Sequence, residues 1–403
     1  MRGLLAALGN PQQRFPSVLV AGSNGKGSTA ALLAAMASAA GYRTGLYTSP
    51  HLEDVEERLR LDGSAIGSAR LGELLAEVVS CAERQLGHSP TYFEALTAAA
   101  FLWFAAEQVD LAVVEVGLGG RLDATNLCEP VLSLITSISL EHRELLGGTR
   151  AEIAREKAGI LRAGRPALSW VDNPEAAGAL REAAAALGAE LRAAEREVTI
   201  AAREARGWEG QTVTLLTPVA RRELWTSLLG GHQANNLGLA TRAAELLAGL
   251  GFPALDGRAL AAGAAACRWP GRVEVVAVPG GGRWVLDAAH NADGSAALAE
   301  FLAAARGWAG AVDLIFGVLA DKDAGEMLGH LAPRARRLIF TTPPSPRARA
   351  AEELPALLPG AAPAISPAAP PAGSLARPAP LTAGSAAAVE IRPATALVEP
   401  APA

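Results

Sequence analysis

Apolar residues fall along this chain in short, nearly unbroken runs separated by longer stretches of helical character. Residues 17–20, 111–116 and 131–138 read as buried strands, and residues 28–40, 71–86 and 92–107 as helices between them. Strands that lack polar alternation are those covered on both faces, so the alternation predicts a parallel sheet flanked by helices. Residues 165–229 mix strand-like pieces with an Ala-rich helix. A helix from 232 to about 248 then stops at Gly249 and Gly251. After a break at Trp269-Pro270-Gly271 the pattern restarts, with strands near 273–278, 284–287 and 312–317 and a helix after Asn291. The expected organisation is a domain over 1–269, a smaller α/β domain over 270–350, and an Ala/Pro-rich, atypical or partly disordered end over 351–403. Residues 343–403 hold 14 of the 26 prolines, which remove backbone donors and break helices and central strands. No repeat of 20–50 residues is present.

Composition narrows the class. Half of the residues are hydrophobic and 19% are charged, as in a globular protein. A net charge of −5 without a Lys/Arg block excludes a general nucleic-acid binder. Three scattered cysteines, Cys81, Cys128 and Cys267, form no CxxC pair, so the expected compartment is a reducing cytoplasm. The start, Met1-Arg2-Gly3-Leu4-Leu5, lacks a signal-peptide core. The apolar stretch 95–106, between Glu94 and Glu107, is too short to span a bilayer and reads as a buried helix.

The sharpest local signal is Gly22-Ser23-Asn24-Gly25-Lys26-Gly27-Ser28-Thr29, placed between a strand and a helix. Glycines let the backbone turn its N–H groups toward phosphates, the helix N-terminus adds unpaired donors, and Lys26 adds a mobile cation. The match to GxxxxGK[ST] is imperfect, because Gly27 separates Lys26 from Ser28. The plain alternative is a Gly-rich turn with a solvated lysine.

Further segments carry a resemblance. They are Thr48-Ser49-Pro50-His51-Leu52, Tyr92-Phe93-Glu94 with Leu96-Thr97, the run Glu115-Val116-Gly117-Leu118-Gly119-Gly120-Arg121-Leu122-Asp123-Ala124-Thr125-Asn126, and Ile153-Ala154-Arg155-Glu156-Lys157-Ala158-Gly159-Ile160. His232-Gln233 with Asn236, Pro270-Gly271-Arg272, Asp287 with His290-Asn291, and Asp321-Lys322-Asp323 follow in order. Together they resemble the folylpolyglutamate synthase/dihydrofolate synthase family of the Mur ligase superfamily, over about residues 2–345. The resemblance implies a P-loop-containing parallel-sheet ATPase domain of the Mur ligase central-domain type, followed by a smaller Mur ligase C-terminal domain.

It also implies an activity: ATP-dependent addition of L-glutamate to folate, and to dihydropteroate as a second acceptor, through an acyl phosphate. ATP and Mg2+ are the implied cofactors. By the resemblance, Lys26, Lys157 and His290 are catalytic. Asn24, Gly25, Lys26, Gly27, Ser28, Asn236, Arg272 and Asp287 hold the nucleotide, with Arg272 placed at the domain junction. Ser28, Ser49, Glu115 and His142 hold metal. Thr91, Tyr92, Phe93, Glu94, Leu122, Asp123, Ala124 and His290 face the substrate. The bland alternatives are a helix-capping carboxylate for Glu115, a loop histidine for His142, and core packing for Phe93 and Leu122. Lys157 corresponds to a lysine the family carbamoylates. On a helix its neighbours are Ile153, Ala154, Ile160 and Leu161, none able to pair with a charge.

Departures from the family pattern are Ser23 for Thr, Glu141 for Asp, and Ala288 and Ala292 for Gly and Pro. The Ala288 change predicts a negative φ there. Only 21 residues precede Gly22, so neither a uridine-nucleotide domain of the cell-wall Mur type nor most of the segment that helps hold dihydropteroate is expected. The end echoes the family only at Gly384-Ser385 and Val389-Glu390-Ile391-Arg392, suggesting divergence or a frame error. Two other readings stay open: an amide ligase with a non-folate acceptor, and a nucleotide-binding homologue without turnover. A monomer acting without nucleic acid or membrane is expected.

Overall fold

The computed structural model describes residues 1–277, 282–304 and 312–358. The chain divides into two compact units, residues 1–227 with 232–268, and residues 228–231 with 269 onward.

The first unit is built on an eight-stranded sheet. Its strands are β1 (Ser17–Ala21), β2 (Thr44–Tyr47), β3 (Leu59–Leu61), β4 (Ser64–Ala65), β5 (Leu111–Glu115), β6 (Pro130–Ile135), β7 (Pro166–Ser169) and β8 (Glu190–Ala193), in spatial order β4-β3-β2-β5-β1-β6-β7-β8. All pairings from β2 to β8 are parallel, and only the edge pairs β2–β3 and β3–β4 are antiparallel. β1, β5 and β6 are apolar and adjoining, so their carboxyl ends open side by side at the middle of one sheet edge. Open α/β sheets bind ligands at that edge. The helix Tyr92–Ala106 is apolar nearly all round and packs into the core, with Phe101 and Phe104 fully buried, each worth about 2–3 kcal/mol in area removed from water. A separate antiparallel meander follows, formed by β9 (Thr199–Arg206), β10 (Gly210–Leu216) and β11 (Arg221–Thr226), and then the helix Gly231–Gly249.

The second unit pairs β12 (Glu274–Ala277) with β13 (Arg283–Leu286) antiparallel, and β14 (Val312–Phe316) with β15 (Ala335–Phe340) parallel. Helices Ala292–Ala304 and Ala324–Leu331 bury Leu298, Leu302, Met327, Leu328 and Leu331. The segment expected to be atypical from residue 351 begins with an ordered 3-10 helix, Ala351–Leu357, whose Leu354 is fully buried. The rest of that stretch, with the Gly384-Ser385 and Val389–Arg392 echoes, lies outside the described residues. Ala288 is not among the residues with positive φ, in keeping with its replacement of glycine. No helix among the described residues is long and apolar enough to cross a membrane.

Candidate active site

β1 runs into Gly22, and the chain turns through Gly25 into the helix Lys26–Ala39. Gly25 holds φ +83°, and a Cβ there would stand 2.4 Å from Oδ1 of Asn236. Glycine is what admits Asn236 to the loop. Asn236 Nδ2 donates to Gln233 Oε1 (2.9 Å), and Gln233 Nε2 donates to the Ser28 hydroxyl (3.2 Å). A side-chain relay from a distant helix therefore fixes the first turn after the loop. The segment after β6 braces the other side: Ser23 N donates to Ser137 O (2.8 Å), Thr136 Oγ1 to Asn24 O (2.6 Å) and Ser139 N to Ser23 Oγ (2.9 Å). The hydroxyl that Ser23 shares with threonine is thus in use.

Two ammonium groups meet at this loop. Lys26 Nζ donates to the carbonyls of Gly22 (2.9 Å) and Ser23 (3.1 Å). Lys157 Nζ donates to the same Gly22 carbonyl (2.8 Å) and to Glu141 Oε1 (2.8 Å). The Lys157 and Glu141 side chains are only 2% and 8% exposed. Lys157 thus has a charged partner that its own helix spacing does not supply. The helix positions three and four before it, Ala154 and Ile153, are apolar, but the loop after β6 brings Glu141 from 16 positions away. Burial pushes the Glu141 carboxyl up, yet Lys157 and then Lys26 outweigh it and hold it well below the ordinary carboxylate range. Burial pulls the Lys157 ammonium down, with Glu141 opposing and Lys26 adding to the shift.

The Gly117–Asn126 run positions Lys157 from behind. A Cβ on Gly159 would lie 2.4 Å from Arg121 Cα, and one on Gly120 2.9 Å from the Lys157 carbonyl oxygen. Asn126 Nδ2 donates to Gly159 O (2.9 Å), Arg162 Nη2 returns a bond to Asn126 Oδ1 (2.9 Å), and Arg121 pairs with Glu156 (3.0 Å). The loop and the helix Arg150–Ala158 are clasped backbone to backbone.

Of the residues expected to hold metal, the structure joins Ser49 and Glu115: Ser49 N donates to Glu115 Oε2 (2.9 Å) at the end of β5. Glu115 is 4% exposed. His142 directly follows Glu141 and enters the short helix Arg143–Leu146 with φ 44°. Among the described residues no group of three or more His, Cys, Asp and Glu side chains is placed to hold a metal ion. The available donors are a hydroxyl at Ser28 and a buried carboxylate at Glu115, hard oxygens of the kind magnesium takes with retained water.

On the expected substrate side, Thr91 and Glu94 form a capping box at the start of the helix Tyr92–Ala106. One Glu94 oxygen serves Thr91 and the other the Met1 ammonium at 2.7 Å. Phe93 lies 6.1 Å from the Tyr47 ring, while Tyr92 is exposed. Asp123 accepts from Leu118 N (2.9 Å) and the Thr125 hydroxyl (2.6 Å), shaping the loop, with Ala124 beginning the next 3-10 turn. Leu122 is 80% exposed, so the core-packing alternative fails for it.

In the second unit, Asp287 accepts from Val273 N (2.8 Å) and Ala289 N (2.9 Å). Burial raises its carboxyl above the ordinary value, with Arg272 opposing. Arg272 Nη1 donates to Gly271 O (2.9 Å), and His290 Nδ1 lies 3.0 Å from Ala288 O.

Residues 20–244 match the Mur ligase middle domain, and residues 271–371 match the Mur ligase glutamate ligase domain. A Bacillus subtilis dihydrofolate synthase/folylpolyglutamate synthase is 36% identical over 88% of this chain and 83% of its own length. The chain belongs to the folylpolyglutamate synthase/dihydrofolate synthase family. A Halobacterium salinarum relative, named a probable bifunctional folylpolyglutamate synthase/dihydropteroate synthase, is 39% identical over 88% of this chain, but the chain spans only 43% of that relative's length. A solved FPGS–AMPPCP–folate complex has a TM-score of 0.78 and 35% identity, covering 84% of this chain and 83% of its own. Among the participants that sequence reasoning left out of the site are Gln233, in the relay to Ser28, and Glu141. Glu141 was visible only as a substitution beside His142.

Proposed function

We propose that this protein is an ATP-dependent ligase that joins the amine of L-glutamate to a carboxylate of folate. The observation that carries the proposal is the convergence of Lys26 and Lys157 on the Gly22 carbonyl, beside the Ser49–Glu115 pair, at one edge of the sheet. A carboxylate is a poor acyl donor because hydroxide or oxide would have to leave. Phosphorylation solves this: a carboxylate oxygen attacks the γ-phosphorus and ADP departs. The glutamate nitrogen then attacks the acyl carbon, loses a proton, and phosphate leaves.

Each step gathers negative charge that fixed cations and oriented donors must meet. Lys26 is long enough to move from the loop carbonyls to the phosphates. Lys157, buried and ion-paired, holds the loop through Gly22. Asn236, Gln233 and Ser28 form one relay against the nucleotide loop, and Arg272, Asp287 and His290 are assigned to nucleotide and incoming glutamate. Mg2+ would be held by the hard oxygens of Ser28 and Glu115, with Ser49 and His142 as further partners, and would supply charge neutralisation at the phosphates. Tyr92, Phe93, Leu122, Asp123 and Ala124 face the pterin side, where Thr91 and Glu94 act by shaping the helix end. Three buried, unpaired thiols support a cytoplasmic location, and a monomer is the proposed state.

The test is purified protein with ATP, magnesium, L-glutamate and either tetrahydrofolate or dihydropteroate, read by mass spectrometry and ADP release. Added glutamate on the first acceptor supports the proposal, and on the second extends it to dihydrofolate synthesis. Lys26→Ala is expected to abolish both while leaving the circular dichroism spectrum intact. No glutamate on any pterin, or full activity in Lys26→Ala, overturns it.

A further inference from the structure

Arg58 is a buried cation without an acid partner among the described residues. It ends the 3-10 turn Val55–Arg58 and is 7% exposed. A guanidinium stays protonated, and burying it unpaired is costly. Its side-chain hydrogen bond runs from Nε to Nδ1 of His51 (2.9 Å), a neutral acceptor whose pKa is lowered first by burial and then by Arg58 itself. The acids nearby in sequence are committed elsewhere. Glu57 accepts from the backbone N–H groups of Leu52, Glu53 and Asp54, each at 2.9 Å. The Glu56 carboxyl is held below its ordinary value first by the Ser68 side chain, and Asp54 caps the turn.

What the guanidinium does face is aromatic. Its Cζ lies 5.6 Å from the ring centroid of Tyr92, a residue 60% exposed at the start of the helix Tyr92–Ala106. With Nε spent on His51, the two terminal nitrogens remain as a planar fork of donors beside an open aromatic face. That combination suits a flat heterocycle with two adjacent acceptors. The C4 carbonyl oxygen and N5 of a pterin form such a pair, in the same relation as O6 and N7 of guanine, which arginine reads bidentately.

We infer that Arg58 recognises the pterin, its Nη1/Nη2 fork donating to the C4 carbonyl and N5 while Tyr92 lies against the ring; this rests on the reading of the chain as a folate ligase. The inference carries a specificity. N5 is an acceptor in folate and 7,8-dihydrofolate but bears a hydrogen in tetrahydrofolate, so only the more oxidised pterins satisfy both donors.

The experiment compares ligands on the unchanged full-length protein by titration calorimetry. Folate is expected to bind about tenfold or more tightly than 5-deazafolate, in which N5 is a C–H, the size of one hydrogen bond from a charged donor. Pteroate and 5-deazapteroate, which lack the glutamyl carboxylates, are expected to differ by the same factor. Arg58→Lys should erase the difference in both pairs, with ADP binding in the same titrations reporting that the variant is folded. Equal affinity of the wild-type protein for folate and 5-deazafolate overturns the inference alone. Loss of folate affinity but not pteroate affinity in Arg58→Lys also overturns it, assigning Arg58 to the glutamyl end. A wild-type protein that binds none of the four overturns the folate-ligase reading as well.

Discussion

Replacing Glu141 by glutamine removes one charge from the buried pair and almost no volume. Lys157, 2% exposed, then keeps the Gly22 carbonyl at 2.8 Å and an amide oxygen in place of the carboxylate. Breaking a buried ion pair costs about 3–5 kcal/mol, because an uncompensated charge is left behind. An amide acceptor for an ammonium returns about 1.5–3 kcal/mol. The expected net loss is about 2 kcal/mol, or roughly 4–8 °C in the melting temperature of a unit this size. The assay is thermal or urea unfolding of wild type and Glu141→Gln as a function of pH. Because the folded-state carboxyl is held below its ordinary value, its contribution is present above about pH 4.3 and disappears as pH falls through the lower folded-state value. The two proteins should therefore differ at pH 7 and converge in acid. A Glu141→Gln protein that unfolds with wild type at pH 7 would refute the reasoning. So would a difference that grows as the pH is lowered.

Gly25→Ala forces a Cβ to within 2.4 Å of Asn236 and a left-handed φ on alanine, the latter alone costing about 1–2 kcal/mol; ADP affinity measured by calorimetry should fall tenfold or more. Gly159→Ala meets the Arg121 backbone, which cannot rotate away, and should lower stability by about 1–3 kcal/mol in urea unfolding, with activity falling as Lys157 shifts. Burial pushes the Cys128 and Cys267 thiols up to about 12, so iodoacetamide should leave both unlabelled in the native protein and modify them only in denaturant.

What was legible in the sequence is what depends on local pattern. β1, β5 and β6 announce themselves as unbroken apolar runs, and the phosphate loop by its glycines between a strand and a helix. The edge hairpin β3–β4 was not foreseen, although its signal was present. Asp62-Gly63 takes φ +49° and +81°, the two-residue turn that an Asp-Gly pair favours, but strands of three and two residues carry too little apolar pattern to stand out. The three-stranded meander was seen only as strand-like pieces, because β9 is largely exposed and shows no clean alternation. The charge on Lys157 was read from its helix alone. Glu141 lies on another element, and periodicity along one helix says nothing of what a distant loop delivers. The same limit hid the reach of Asn236 to Gly25, a contact across more than two hundred residues.

The Gly22 carbonyl accepts from two ammonium groups, one of which, Lys157, is also paired with Glu141. Among the described residues Lys26 has no carboxylate within ion-pair distance. A polyphosphate that draws Lys26 outward removes the nearer repulsion on Lys157, whose proton is then held more firmly, and Gly22 passes to a single donor. Relief of the repulsion between the two lysines is the expected contribution of the protein to holding such an anion. Binding at the front of the loop and proton retention behind it become one linked equilibrium.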